Sequence, residues 1–244
     1  MATVEIDGQS IGHATVGDVG EPVLLLHGTA MSRAAFDGVI AAMPAAAAYR
    51  YVVMDLPGSG ESSLPSSALT VHGLAAQAHQ LMSELGHDRY HVAGFSLGAM
   101  VAAGIASAHH SSVRSVTLMA GWITSDARMK ATFELWRRLI AIGPELFVRY
   151  ALVDGFTAAA QEQMAPMLDA AIAVGAGTVA PGSHAQIDLD IAADISEIVG
   201  LISAPTLILS GAEDRWVDVT NAHALGRAIA GSRVEVLPIG HMMI

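Results

Sequence analysis

The chain contains no cysteine, which excludes disulfides, thiolate metal sites and a cysteine nucleophile together. Charge is sparse: Asp, Glu, Lys and Arg make up 14% of 244 residues, and 23 acidic against 12 basic side chains give a formal net charge of −11. Phosphate backbones and anionic lipid are held by clusters of Lys and Arg, so this balance argues against nucleic acid or a membrane surface as a partner. Aromatic residues are scarce too, at 5%. No uninterrupted apolar stretch reaches the ~20 residues that a membrane helix requires, although alanine-rich runs such as Ala45-Ala46-Ala47-Ala48 help raise the apolar share to 52%. The opening residues, Met1 to Asp7, show neither a basic nor an apolar leader, which predicts a cytoplasmic protein. None of the eleven histidines falls in a His-Glu-x-x-His pattern, and His109-His110 sits where a helix is expected to end, so that pair reads as solvated rather than metal-binding. Neither a metal nor a cofactor is expected.

The apolar share is enough to bury a substantial core, and the length suits one large domain with an insertion. Short β-rich runs alternate with helix-like stretches: Val23 to Leu26, Tyr51 to Met54, Tyr90 to Ala93, Val113 to Met119, Thr206 to Leu209 and Arg233 to Leu237. Such alternation predicts an α/β fold with a mostly parallel central sheet and flanking helices, among them Val71 to Leu85 and Leu97 to Ala108. Runs around Val4 to Ile6 and His13 to Val16 read as an antiparallel hairpin at the sheet edge. The alternation fails between Trp122 and His184, where Phe133 to Ile140 and Met164 to Val174 look helical and no strand intervenes. This predicts a helical cap over residues 122–184, closed by the Gly/Pro stretch Gly175 to Gly182, on a core made of 1–121 and 185–244.

Two pentapeptides fit Gly-x-Ser-x-Gly, around Ser10 and around Ser96. Context separates them, because a nucleophile elbow needs a strand before the serine and a helix after it to lift the hydroxyl above the sheet. Ser96 follows Tyr90 to Ala93 and precedes Ala99 to Ala106, whereas Ser10 has strand-like sequence on both sides. Serine attacks at neutral pH only if a base takes its proton, and His241 follows the last strand in Pro238-Ile239-Gly240-His241. The base needs a carboxylate to orient its ring. Asp214 stands in the loop after Thr206 to Ser210, with Glu213 beside it and Asp126 beyond an earlier strand as alternatives. Backbone N–H groups of Leu97 and of Thr29, in the loop His27-Gly28-Thr29, are the expected oxyanion donors. His27 itself is expected to brace that loop.

With His27-Gly28, Asp55-Leu56-Pro57-Gly58-Ser59-Gly60-Glu61-Ser62, the Ser96 elbow, Pro205-Thr206, Asp214 and Gly240-His241, the chain resembles the α/β-hydrolase superfamily over nearly its whole length. Within it the resemblance is to the capped serine esterase-like branch. Haloalkane dehalogenases and epoxide hydrolases of the superfamily would carry aspartate at position 96. The resemblance implies that Asp55 and Gly58 to Ser62 shape a turn near the site. It also implies a helix after the histidine, whereas here Met242-Met243-Ile244 follow, so either a longer tail is missing from this sequence or the loop bearing His241 lacks its usual buttress.

The expected function is therefore a serine hydrolase acting through an acyl-enzyme on the carboxylic ester or thioester of a medium-sized, mostly apolar molecule, free or carrier-bound. An acyltransferase passing the acyl group to an alcohol or amine, and a non-catalytic ligand-binding protein on the same fold, remain open alternatives. Trp122 and Trp136 are the foremost candidates for substrate contact, with Phe133, Phe147, Tyr150, Phe156, Met129, Met164 and Met167 as further cap residues able to line an apolar pocket.

Overall fold

The computed structural model describes residues 2–43 and 48–244; Met1 and most of the alanine-rich run, 44–47, lie outside them. Eight strands form one sheet in the order β1-β2-β4-β3-β5-β6-β7-β8. They are β1 (Ala2–Ile6), β2 (Gln9–Val16), β3 (Glu21–Leu26), β4 (Tyr49–Met54), β5 (Tyr90–Phe95), β6 (Val113–Met119), β7 (Thr206–Gly211) and β8 (Arg233–Leu237). β2 runs antiparallel to both β1 and β4, and the remaining pairs are parallel. The edge hairpin is tighter than the sequence suggests, because Asp7 (φ 48°) and Gly8 (φ 76°) make the whole turn. Positive φ at both central residues matches the twist of the flanking strands, and β2 consequently starts at Gln9 and includes Ser10.

A parallel sheet is covered on both faces, which is why Val23-Leu24-Leu25-Leu26 is apolar without alternation. Successive side chains go to opposite faces: Leu24, Leu26, Val52 and Met54 join the larger core, while Leu25, Val53 and Phe95 join a smaller one with Phe36 and Ile40 of the α1 region (Asp37–Ala42). The larger core holds α2 (Val71–Glu84), α3 (Leu97–Ala108) and α9 (Val219–Ala228). Thr70 caps α2 by accepting from Gly73 N. Helix α3 is buried along nearly its whole length, which its small residues permit.

Between β6 and β7 lie α4 (Ala127–Ile142), α5 (Pro144–Gly155), α6 (Ala158–Met164), α7 (Leu168–Thr178) and α8 (Ser183–Ala192). Here the structure corrects several expectations. Met164 to Val174 is not one helix, because Ala165-Pro166-Met167 forms a 3-10 turn between α6 and α7, as a proline without an N–H to donate favours. Gly175 to Thr178 is the last turn of α7 rather than part of a linker. Helix α8 has no apolar periodicity to announce it in the sequence, and the expected core boundary at residue 185 falls inside its first turn. Among the described residues no single helix is long and apolar enough to cross a membrane.

Candidate active site

Ser96 occupies the turn between β5 and α3 with φ 54° and ψ −118°. A side chain in this region costs on the order of 1–3 kcal/mol and persists only where surroundings enforce it. Two glycines do so. A Cβ on Gly94 would lie 2.0 Å from Gly98 O, and one on Gly98 would lie 2.1 Å from Leu26 O; both obstacles are backbone and cannot swing away. Gly98→Ala is accordingly expected to cost at least ~2 kcal/mol of stability and to displace the serine. Calorimetry checks this, and an unchanged melting temperature would show that the close approach of α3 to β3 does not fix the elbow.

The structure brings Ser96, His241 and Asp214 together. His241 Nε2 is 3.2 Å from Ser96 Oγ, and Nδ1 is 2.7 Å from Asp214 Oδ2. The other Asp214 oxygen accepts from Trp216 N at 2.9 Å and Val217 N at 2.8 Å, so its lone pairs are satisfied and the carboxylate is fixed. All three residues are buried. With Nδ1–H donated to Asp214, Nε2 is left as the acceptor facing the serine. The alternatives are occupied elsewhere. Glu213 is exposed, Asp126 caps α4 by accepting from Met129 N, and Ser10 exchanges hydrogen bonds with Ser63 at the sheet edge.

The loop bearing His241 is held by the end of α5. Met242 N donates to Gly155 O at 3.0 Å, and a Cβ on Gly240 would lie 2.4 Å from that same carbonyl, so the C-terminal end of α5 holds the loop. Phe95 and Trp216 flank the imidazole, with ring centroids 5.0 and 4.7 Å away.

Leu97 provides the first N–H of α3, which a helix leaves without an internal acceptor. Opposite it runs the loop after β3, where Thr29 N–H finds no protein acceptor among the described residues. His27 braces this loop as expected: Nδ1 lies 2.7 Å from Gly28 O, and Nε2 accepts from Leu56 N at 3.0 Å. Burial lowers its pKa, which keeps it neutral for that accepting role. Asp55 anchors the neighbouring turn, taking N–H groups of Arg33 and Glu61 and pairing with the Arg33 guanidinium.

Helix α8 contributes two residues that the sequence reading missed. Gln186 Oε1 accepts from Ala30 N at 2.9 Å, while its amide donates to Pro57 O and Ser59 Oγ. Asp190, one turn on, has Oδ2 at 2.6 Å from Thr29 Oγ1, while its Oδ1 is buried with no partner among the described residues. Burial pushes this carboxyl up to about 8.

A cavity of about 350 Å³ opens onto Ser96 and His241. Its walls include Trp136 from α4, Phe147 and Leu152 from α5, Val179 after α7, and Met31 and Trp216 from core loops. None of the lining residues is Asp, Glu, Lys or Arg. Trp122 is not at the cavity: it is fully buried against Phe133, with its indole N–H donated to Ser125 Oγ. Phe133 and Met129 likewise pack the core, Tyr150 donates to Asp154, and Met167 is exposed. Of the nine cap residues foreseen, Trp136 and Phe147 line the cavity.

Residues 21–244 match the profile described as alpha/beta hydrolase fold. The chain is 29% identical over 249 aligned positions to pyrrolizixenacetamide deacetylase of Xenorhabdus hominickii, covering 99% of this chain and 91% of that protein. Among solved structures it resembles the enol-lactonase from Burkholderia xenovorans LB400, with a TM-score of 0.85 at 20% identity over 99% of this chain and 93% of that one. It is also similar to the esterase EaEST from Exiguobacterium antarcticum, with a TM-score of 0.83 at 22% identity over 97% and 90% of the two chains. Sheet order, elbow and profile agree, and the chain belongs to the α/β-hydrolase fold family.

Proposed function

We propose that the protein is a serine hydrolase that cleaves the carboxylic ester or thioester of a medium-sized, mostly apolar small molecule through an acyl-enzyme. The observation that carries this reading is the hydrogen-bonded series Ser96, His241, Asp214 with its serine end facing an uncharged cavity. The deacetylase relative supports hydrolysis as the reaction class. Ser96 Oγ bonds to the acyl carbon as His241 Nε2 takes its proton, and the carbonyl oxygen gains charge beside the N–H groups of Leu97 and Thr29. His241 then returns the proton to the leaving oxygen or sulfur as that bond breaks. Water, deprotonated by the same nitrogen, attacks the acyl-enzyme and restores Ser96. Helices α4 to α7 act as the cap, since α4, α5 and α7 supply walls of the cavity.

The test is covalent labelling. A fluorophosphonate probe is expected to modify the wild-type protein once, at Ser96, with loss of p-nitrophenyl ester turnover in step. Intact protein that stays unlabelled and turns over no ester would overturn the reading in favour of a binding protein on this fold.

A further inference from the structure

We propose that Asp190 is a positioning acid for the oxyanion side of this site: as a neutral carboxyl it donates its proton to Thr29 Oγ1, leaving the Thr29 hydroxyl proton to point into the cavity as a third donor to the developing oxyanion. The inference rests on the serine acyl-transfer reading and adds a side-chain donor to the two backbone N–H groups.

Counting protons leads to it. A threonine hydroxyl has one proton to give and can accept, whereas an ionised carboxylate accepts only. Beside a carboxylate, the Thr29 proton is held by Asp190 and the cavity receives nothing from that side chain. Beside a carboxylic acid, the pair owns one proton more than their mutual hydrogen bond needs. Two arrangements share it. If Thr29 donates to Asp190, the acid proton has no acceptor, because Oδ1 has no partner among the described residues. If Asp190 donates to Thr29, both protons have a use, since Thr29 lines the cavity beside Ser96. The separation of 2.6 Å suits an O–H···O contact of either sense.

The surroundings favour the acid. Asp190 is completely buried, and burying a carboxylate without a counter-charge is costly enough that the group keeps its proton instead. The polar groups recorded on Asp190 and on the neighbouring turn of α8 are neutral. The loop after β3 presents Thr29, and the loop after β6 presents Ser125, whose hydroxyl donates to the Asp190 carbonyl. The preceding turn of α8 presents Gln186, bound to Ala30 N. Charged groups on α8 and on α4, which packs against it, are engaged elsewhere, as is Asp194 just beyond α8: Arg137 of α4 pairs with the exposed Asp188, Asp126 caps α4, and Asp194 accepts from Thr124 and Ser196. Gln186 and Asp190 thus fasten one face of α8 to the loop that carries the oxyanion donor. Ala30, at φ 62°, lies between them in that fastening.

The experiment is a set of pH–rate profiles on p-nitrophenyl butyrate from about pH 6 to 10 for wild type, Asp190→Asn, Asp190→Ala and Thr29→Val. Wild-type kcat is expected to fall on the alkaline side as Asp190 ionises near pH 8. Thr29→Val and Asp190→Ala are each expected to lower kcat at neutral pH by roughly 10- to 100-fold with KM changed less than about threefold, because the lost donor acts on the transition state. Asp190→Asn, whose amide still donates to Thr29 Oγ1, is expected to recover most of the alanine loss and to remove the alkaline fall. Fluorophosphonate labelling of each variant reports whether the Ser96 site is folded. An alkaline fall that persists in labelled Asp190→Asn, or a labelled Thr29→Val with kcat within about twofold of wild type, overturns the proposal while the serine reading stands. Failure of the wild type itself to label overturns both.

Discussion

Ser96→Ala is expected to lower kcat for p-nitrophenyl esters by about 10⁴-fold or more and to abolish fluorophosphonate labelling, with no loss of folding. The hydroxyl takes no part in holding the turn: Ser96 makes no side-chain cap bond to α3, and the backbone is held through Ser96 N to Met119 O and through Gly94 and Gly98. Alanine is therefore expected to adopt the same φ of 54° at similar cost, so a melting temperature within about 2 °C of wild type should accompany the loss. Ser10→Ala serves as the control, because that serine is one residue of strand β2. Near-wild-type turnover in Ser96→Ala would remove the serine from the mechanism altogether.

Asp214→Asn is the second large effect, on the order of 10⁴-fold in kcat. The substitution keeps the shape and one carbonyl oxygen, and the N–H groups of Trp216 and Val217 keep an acceptor. What changes is the proton on the imidazole. An asparagine NH₂ turned toward His241 Nδ1 donates where the carboxylate accepted, so the ring takes its proton on Nε2, the nitrogen 3.2 Å from Ser96 Oγ. That nitrogen then has no lone pair for the serine proton. Glu213→Gln changes an exposed side chain and is expected to be nearly silent. Asp126→Asn keeps a capping oxygen on α4 and is expected to cost stability by only a few tenths of a kcal/mol. Kinetics of the three variants, measured side by side, decide which carboxylate orients the base; a large effect from Asp126 with a mild one from Asp214 would reassign it.

The elements with strong local signatures are legible in the sequence. Gly94 and Gly98 announce the elbow because only glycine fits where α3 meets β3, and the continuous apolar run Val23 to Leu26 announces a strand covered on both faces. Residues 96, 214 and 241 could be chosen because each follows a strand with a recognisable pattern. What stayed hidden depends on long-range packing. Helix α8 buries Ser183, Gln186 and Asp190 alongside Ile187 and Leu189, so its buried face mixes polar with apolar residues, and the residues bracing the Thr29 loop look like surface in the sequence. Trp122 and Trp136 are indistinguishable as sequence, yet one packs on Phe133 and the other faces the cavity. Hydropathy tells that both are buried and not what each is buried against. Trp216, two residues past Asp214, contacts the imidazole and the cavity, and only the loop's course after β7 shows it.

The uncharged lining of the cavity bears on how a catalytic cycle ends. Hydrolysis turns a neutral guest into a carboxylic acid that ionises at neutral pH, and the walls around Trp136, Phe147, Leu152 and Val179 hold no cation to receive it. An anion stripped of water in such surroundings is far less stable than in bulk solvent. Hydration favours release of the product of the proposed chemistry, while burial of apolar surface favours entry of the uncharged substrate. Under the proposed chemistry, the free acid competes poorly for the site, and turnover keeps its pace as product accumulates.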